Sequence, residues 1–168
     1  GKWIKGTSTK YLELPVVFQY GIKERFPVSS TVKEKISGRW KVDFTRPNGT
    51  DRPAIAEFQQ KGSNLTGTFL TPSGDYRFLE GCVTRDSLFL SCFDGAHAFL
   101  FMASISGNEM NGVFLSGNHS KENFTAIKNE KYTLPDPYTL TFLKKGYDRL
   151  DFSLPDLDSN LVSLKDDR

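Results

Sequence analysis

Apolar and polar residues alternate along most of residues 37–128, in short segments separated by turn-forming residues. Trp40, Val42 and Phe44 alternate with charged neighbours, which is the two-residue period of a half-buried strand. Clusters of Asn, Gly, Asp and Pro interrupt the alternation at regular intervals. The pattern predicts eight strands, at 37–46, 54–60, 65–71, 76–84, 87–93, 96–105, 110–115 and 122–127.

The connections between these segments are too short to hold crossover helices, so neighbouring strands must pair antiparallel. Eight strands in meander order can close on themselves and remove exposed sheet edges. The predicted fold is therefore all-β, an up-and-down antiparallel barrel with Trp40 and Phe69 inside. Gly38-Arg39-Trp40 at its first strand resembles the start of lipocalin-like barrels. A two-sheet β-sandwich is the alternative.

The rest of the chain divides into three further segments. Residues 1–36 are predicted to be the remnant of a preceding β segment and a link, with strands at 11–20 and 25–28. Residues 129–149 form a linker that contains Pro135 and Pro137. Residues 150–168 have an apolar–turn–apolar pattern that predicts a small hairpin beginning a new unit. Its apolar side chains should lack a sheet to join and be poorly tethered.

Composition excludes several classes of function. The 168 residues carry 22 basic and 20 acidic side chains, a net charge of +2, so a nucleic-acid partner is not expected. No apolar segment is long enough to span a membrane. Two Cys and two His are too few for a disulfide-rich scaffold or a four-cysteine zinc site, and neither a metal nor a cofactor is predicted.

The two cysteines are predicted to be semi-buried free thiols. A two-residue turn at Arg85 and Asp86 places Cys82 opposite Phe89 and turns Cys92 to the other sheet face. A disulfide requires converging side chains, which this register does not provide.

The two histidines indicate a candidate ligand site. Alternate turns of a meander barrel lie at the same end, and barrel mouths are common ligand sites. One end should collect five polar side chains: Asp75, Asp94, His97, Asn118 and His119. The alternative is that the histidines simply bond turn carbonyls. No catalytic residue is predicted.

The C-terminal segment carries a family resemblance. Phe-Ser-Leu-Pro-Asp-Leu-Asp at 152–158, followed by Val-Ser-Leu at 162–164, resembles the entry hairpin of TlpA-like and AhpC/TSA-like thiol-disulfide oxidoreductases. Residues 38–136 resemble the β-rich extension that precedes the thioredoxin fold in some bacterial envelope members. The most similar parts are 93–97 and 116–119. The resemblance implies an oxidoreductase parent, a periplasmic or cell-envelope location and a thioredoxin-like domain of the same polypeptide as partner. Protein substrates or another envelope protein are further partners.

Three interpretations follow. The first is a non-catalytic accessory β-domain of such an oxidoreductase, cut from a longer protein and inactive alone because it lacks the Cys-x-x-Cys site. The second is a free-standing ligand-binding barrel. The third is a carbohydrate-binding module, although the chain has only two Trp.

Overall fold

The computed structural model describes residues 1–7, 10–22, 25–26 and 31–164. The chain forms two compact units, Gly1–Leu134 and Pro135–Arg168. Within the described residues, no helix is long and apolar enough to cross a membrane.

Strands dominate the structure. In chain order they are β1 (Lys2–Thr7), β2 (Lys10–Pro15), β3 (Gly38–Thr45), β4 (Asp51–Lys61), β5 (Asn64–Thr71), β6 (Gly74–Asp75), β7 (Leu79–Thr84), β8 (Ser87–Phe93), β9 (Ala98–Ser106), β10 (Glu109–Ser116), β11 (Ser120–Lys128), β12 (Ser153–Pro155) and β13 (Leu161–Ser163). A single 3₁₀ turn of the described chain lies at Pro137–Thr139.

Eight of these strands form a closed antiparallel barrel, as the sequence predicts. The hydrogen-bonded order is β4-β3-β11-β10-β9-β8-β7-β5, and the pairing of β4 with β5 closes the ring. Each strand pairs with its chain neighbour, and β11 returns to β3. The two-sheet sandwich is therefore not the fold. The short strand β6 is an addition that pairs with β5 at Leu70 and Thr71, beyond the region paired with β7.

The strand predicted at 76–84 was wrong in its first three residues. Tyr76 N–H still bonds the Phe69 carbonyl of β5 at 3.0 Å, but residues 76–78 belong to no strand and the ladder resumes only at Leu79. Arg77 adopts a left-handed backbone with φ of 66°, and its N–H bonds the Asp75 carboxylate at 3.0 Å. This local side-chain bond competes with strand pairing and turns the chain outward.

Aromatic side chains fill the barrel interior. Trp40 and Phe69 are fully buried, as predicted. Phe101 stacks between two other rings, with centroids 4.4 Å from Phe69 and 4.5 Å from Phe114. Since an eight-strand barrel is just wide enough for side chains to fill, these rings occupy the lumen. At Gly112 a Cβ atom would lie 2.4 Å from the Phe124 ring, so this position requires glycine.

The strands predicted within 1–36 differ from those observed. The first hairpin joins β1 and β2, and its ladder ends with Lys2 opposite Pro15. Val16 still exchanges two backbone hydrogen bonds with Gly1, at 2.9 and 2.8 Å, but residues 16–20 are not in a strand, so the predicted strand over 11–20 is only half observed. Of the strand predicted at 25–28, residues 25–26 form a bend and 27–28 lie outside the described residues.

The β1–β2 hairpin packs against loops at one end of the barrel. Trp3 Nε1 donates to the Gly95 carbonyl at 2.7 Å, and Lys5 Nζ donates to the Ala96 carbonyl at 2.7 Å. The Trp3 ring meets Phe93 edge-on at 5.9 Å between centroids. A two-stranded hairpin is marginal alone, so these contacts hold it in place.

Candidate functional site at the barrel mouth

One end of the barrel carries the loops at 46–50, 72–73, 94–97 and 117–119, and we call it the mouth. These loops share an end because the strands alternate in direction around the barrel. All five residues of the predicted ligand site lie in or beside them.

Asp94 organises the β8–β9 loop. Its Oδ1 accepts the backbone N–H groups of Ala96 and His97 at 2.9 and 2.7 Å. His97 Nδ1 lies 3.0 Å from Asp94 Oδ2, and Arg77 Nε lies 3.2 Å from the same oxygen. The hydrogen bond from the His97 ring, supported by the two backbone N–H groups, holds the pKa of Asp94 far below its usual range.

The structure brings three of the five predicted residues together through Arg77. The guanidinium of Arg77 meets Asp94, and its backbone N–H meets Asp75. His97 joins through Asp94. Here the histidine bonds a turn carboxylate, which is close to the alternative interpretation of the loop histidines. A ligand at this cluster stays a prediction.

Asn118 and His119 lie at the mouth but outside this cluster. Asn118 Nδ2 is 3.5 Å from the carbonyl of Glu13 on β2. His119 is exposed and folds back over Gly117, whose backbone is left-handed with φ of 57°. Within the part of the chain that the structure describes, no hydrogen bond connects either residue to Asp94 or His97.

A polar network inside the mouth was not predicted. Arg52 Nη2 donates to Glu122 Oε2 at 2.8 Å and to the Tyr76 hydroxyl at 2.5 Å. The Arg52 and Glu122 side chains are each only 15% exposed. The guanidinium also lies 4.8 Å from the centroid of the Phe44 ring, a cation–π distance. The network links β4 and β11 across the intervening strand β3.

The network stabilises the charged form of Arg52. Burial works to lower the pKa of Arg52, but the hydrogen bonds to Glu122 and Tyr76 outweigh it and raise that pKa. Burial also raises the pKa of Tyr76. The network is a polar closure above the aromatic core, in which Arg52 Nη2 bonds both Glu122 and Tyr76.

The alternation of side chains along β4 and β11 could have predicted this network. Arg52 is in phase with the buried Ala54 and Ala56, and Glu122 is in phase with the buried Phe124 and Ala126. Charged residues on the inward phase of two strands of one barrel predict an internal ion pair.

Both cysteines are buried and free, as predicted from the hairpin register. Cys82 lies opposite Phe89, and Cys92 contributes to the core on the other sheet face. Burial raises the pKa of each thiol. Among the described residues, no three His, Cys, Asp or Glu side chains are grouped as a metal site.

Comparison with known proteins adds no relative: no family model, no curated protein and no solved structure matches this chain.

Proposed function

We propose that the chain is a non-catalytic accessory β-domain of a thioredoxin-like thiol-disulfide oxidoreductase of the bacterial cell envelope, serving interaction or positioning. The observation that carries the proposal is the hairpin of β12 and β13, which lies in the second compact unit. It forms in the segment whose sequence resembles the entry hairpin of that family.

The hairpin is ordered by its own turn. Asp156 Oδ1 accepts the N–H groups of Asp158 and Asn160 at 2.9 and 2.8 Å, and Leu154 pairs with Val162 across the strands. Yet Leu154 and Leu161 are 59% and 73% exposed. A two-stranded hairpin with an uncovered apolar face needs a further layer. A thioredoxin-like sheet and helix would supply that layer.

The thiols support a non-catalytic role. Thiol-disulfide exchange needs an accessible thiolate and a second thiol that can resolve the mixed disulfide. Cys82 and Cys92 are buried, have raised pKa values and point to opposite faces of the sheet. Neither requirement is met by these residues.

The filled interior of the barrel favours the role of an accessory module over that of a lipocalin-like ligand carrier. A carrier needs interior space, whereas here Phe44, Phe69, Phe101 and Phe114 lie at ring-contact distances from one another. Above them Arg52 and Glu122 bond each other. Recognition by this domain would therefore use the outer surface and the loops.

The coding sequence beyond the codon for Arg168 tests the proposal directly. A continuing reading frame with a strand-forming segment and then Trp-Cys-x-x-Cys is the expected result. A frame that ends, or continues into an unrelated domain, would overturn the proposal.

A reductase assay tests the non-catalytic part separately. The chain is incubated with insulin and a dithiol reductant, beside Cys82→Ser and Cys92→Ser variants. Precipitation of insulin B chain at the uncatalysed rate is expected for all three proteins. Turnover that the wild type shows and either variant loses would place the active site in this barrel instead.

A further inference from the structure

A groove of about 860 Å³ lies on the outer face of β4 and β5, away from the filled lumen. Two local features shape it. Arg77 and Phe78 turn away from the sheet beside β5, and Gly67 has no side chain where a Cβ atom would meet the Glu57 carbonyl. Phe58 lies buried at the base of the groove, and the exposed lining is polar apart from one aromatic ring; the main residues are Arg39, Glu57, Gln59, Thr68, Arg77 and Phe78.

The two arginines of the groove are already paired, while the carboxylates of Asp75 and Glu130 accept backbone N–H groups, from Arg77 at 3.0 Å and from Arg39 at 3.1 Å. Arg39 Nη2 lies 2.5 Å from Glu57 Oε1, and its Nη1 donates to the Tyr132 carbonyl at 3.1 Å. Arg77 is held by Asp94 at 3.2 Å. The groove therefore presents oriented donors and acceptors without an unpaired arginine, which favours a neutral ligand over an anion.

Phe78 gives the groove an apolar surface. Its side chain is 70% exposed, unlike the core phenylalanines. It follows Arg77, whose left-handed backbone is one that non-glycine residues avoid. Because the chain turns at Arg77, Phe78 is not part of the sheet. Its ring is exposed to solvent at the groove.

Thr68 adds an unsatisfied hydroxyl. Its Oγ1 is buried and has no hydrogen-bond partner among the described residues, although Thr68 lines the groove. Buried polar groups normally find partners. Rotation about χ1 between staggered positions can bring this hydroxyl outward, where a bound ligand would complete its bonding.

We propose that this groove binds a neutral oligosaccharide. Sugar hydroxyls pair with oriented amide, carboxylate and guanidinium groups, and pyranose C–H groups pack against the negative face of an aromatic ring. A peptide cannot add here as a further strand, because β4 pairs with β3 and β5, and β5 pairs with β4 on one side and with β7 and β6 on the other. This proposal adds a ligand to the domain, and it does not depend on the accessory role proposed above.

Calorimetric titration of the full chain tests the site, with cellopentaose, maltopentaose, mannopentaose and chitopentaose as probes. We expect one-to-one binding of at least one of them with a Kd of about 0.01–1 mM. Backbone amide shifts in NMR spectra should centre on β4, β5 and residues 75–78. Absence of binding at about 5 mM of every probe, or shifts only for a neutral penta-alanine peptide, would overturn the proposal.

Two variants and a control locate the binding. Phe78→Ala should weaken the affinity about tenfold or more, as expected for the loss of a central aromatic contact. Phe18→Ala is the matched control, because Phe18 is also highly exposed and does not line the groove. It should leave the affinity within about twofold. Equal effects of the two variants would contradict the site.

Thr68→Val distinguishes ligand binding from a structural role. Removing the unsatisfied hydroxyl should raise the melting temperature by about 2–4 °C while weakening sugar binding about threefold or more. Opposite signs for stability and affinity are expected only if the hydroxyl serves the ligand. A variant that is more stable and binds equally well would contradict the role of Thr68.

Discussion

Breaking the ion pair inside the mouth should destabilise the barrel more than breaking a surface pair. Glu122→Leu leaves Arg52 charged above the aromatic core. Loss of one partner of a fully buried pair costs about 3–5 kcal/mol, whereas a surface pair contributes about 0–1 kcal/mol. Arg52 keeps slight exposure and its bond to Tyr76. We therefore expect a loss of about 2–3 kcal/mol in unfolding free energy.

The double variant separates the cost of a buried charge from the value of the pair. Arg52→Met alone leaves Glu122 uncompensated and should also cost about 2–3 kcal/mol. Arg52→Met with Glu122→Leu removes both charges and keeps apolar volume in the mouth. The double variant should lie within about 1 kcal/mol of the wild type, so the two substitutions are strongly non-additive.

Urea unfolding measures these changes, with tryptophan fluorescence as the probe, because the Trp40 indole is fully buried in the core and becomes exposed on unfolding. Glu57→Leu is the matched control, since it breaks an ion pair to Arg39 whose side chains are 33% and 44% exposed. The control should cost less than about 1 kcal/mol. If Glu122→Leu costs no more than the control, or if the single effects simply add, the argument from burial is refuted.

Three further predictions concern the core, the thiols and the Asp94 loop. Phe101→Ala removes a ring stacked on both sides and should cost about 3–5 kcal/mol in urea unfolding; a loss under about 1 kcal/mol would contradict a filled lumen. Cys82 and Cys92 should react with a thiol reagent far more slowly in the native chain than in urea, since burial raises both pKa values. The folded-state pKa of Asp94 is depressed, so the wild type should be more stable than Asp94→Asn at neutral pH. This advantage is complete above the unfolded pKa of about 3.9 and is lost progressively as the pH falls below that value. Urea midpoints of the two proteins at neutral and acidic pH measure it. A difference between the two proteins that is unchanged at acidic pH would contradict the role of the ionised carboxylate.

The barrel could be predicted from sequence because its determinants are local. Alternation fixes which side chains point inward, as at Trp40, Val42 and Phe44, and short turns leave only antiparallel neighbours. The same local logic failed at 76–78. The alternation of Tyr76 and Phe78 predicts that β7 begins at residue 76. The left-handed backbone of Arg77 and its bond to Asp75 delay the start of β7 to Leu79.

The sequence predicted which end of the barrel the five mouth residues share, but not their contacts. A meander places Asp94 and Asn118 at one end of the barrel, but which groups meet depends on the loops and on the N-terminal hairpin. His97 lies three residues from Asp94 and closes onto it within one turn. Asn118 instead contacts the carbonyl of Glu13, which is 105 residues away in sequence. Only tertiary packing decides that partner.

The two irregular parts of the barrel unit explain where recognition can occur. A closed barrel of eight strands has no free edge, and here its interior is filled by aromatic rings beneath a paired Arg52 and Glu122. The regular part of the barrel therefore offers neither an edge for a further strand nor a cavity for a ligand. The two irregular parts are the β1–β2 hairpin on the mouth loops and the outward turn at 76–78. The Asp94 loop contacts both of them. Its Gly95 carbonyl accepts a hydrogen bond from Trp3 Nε1, and the Asp94 carboxylate pairs with Arg77. Arg77 therefore joins the groove to the Asp94 loop, and the same loop holds the hairpin through Trp3.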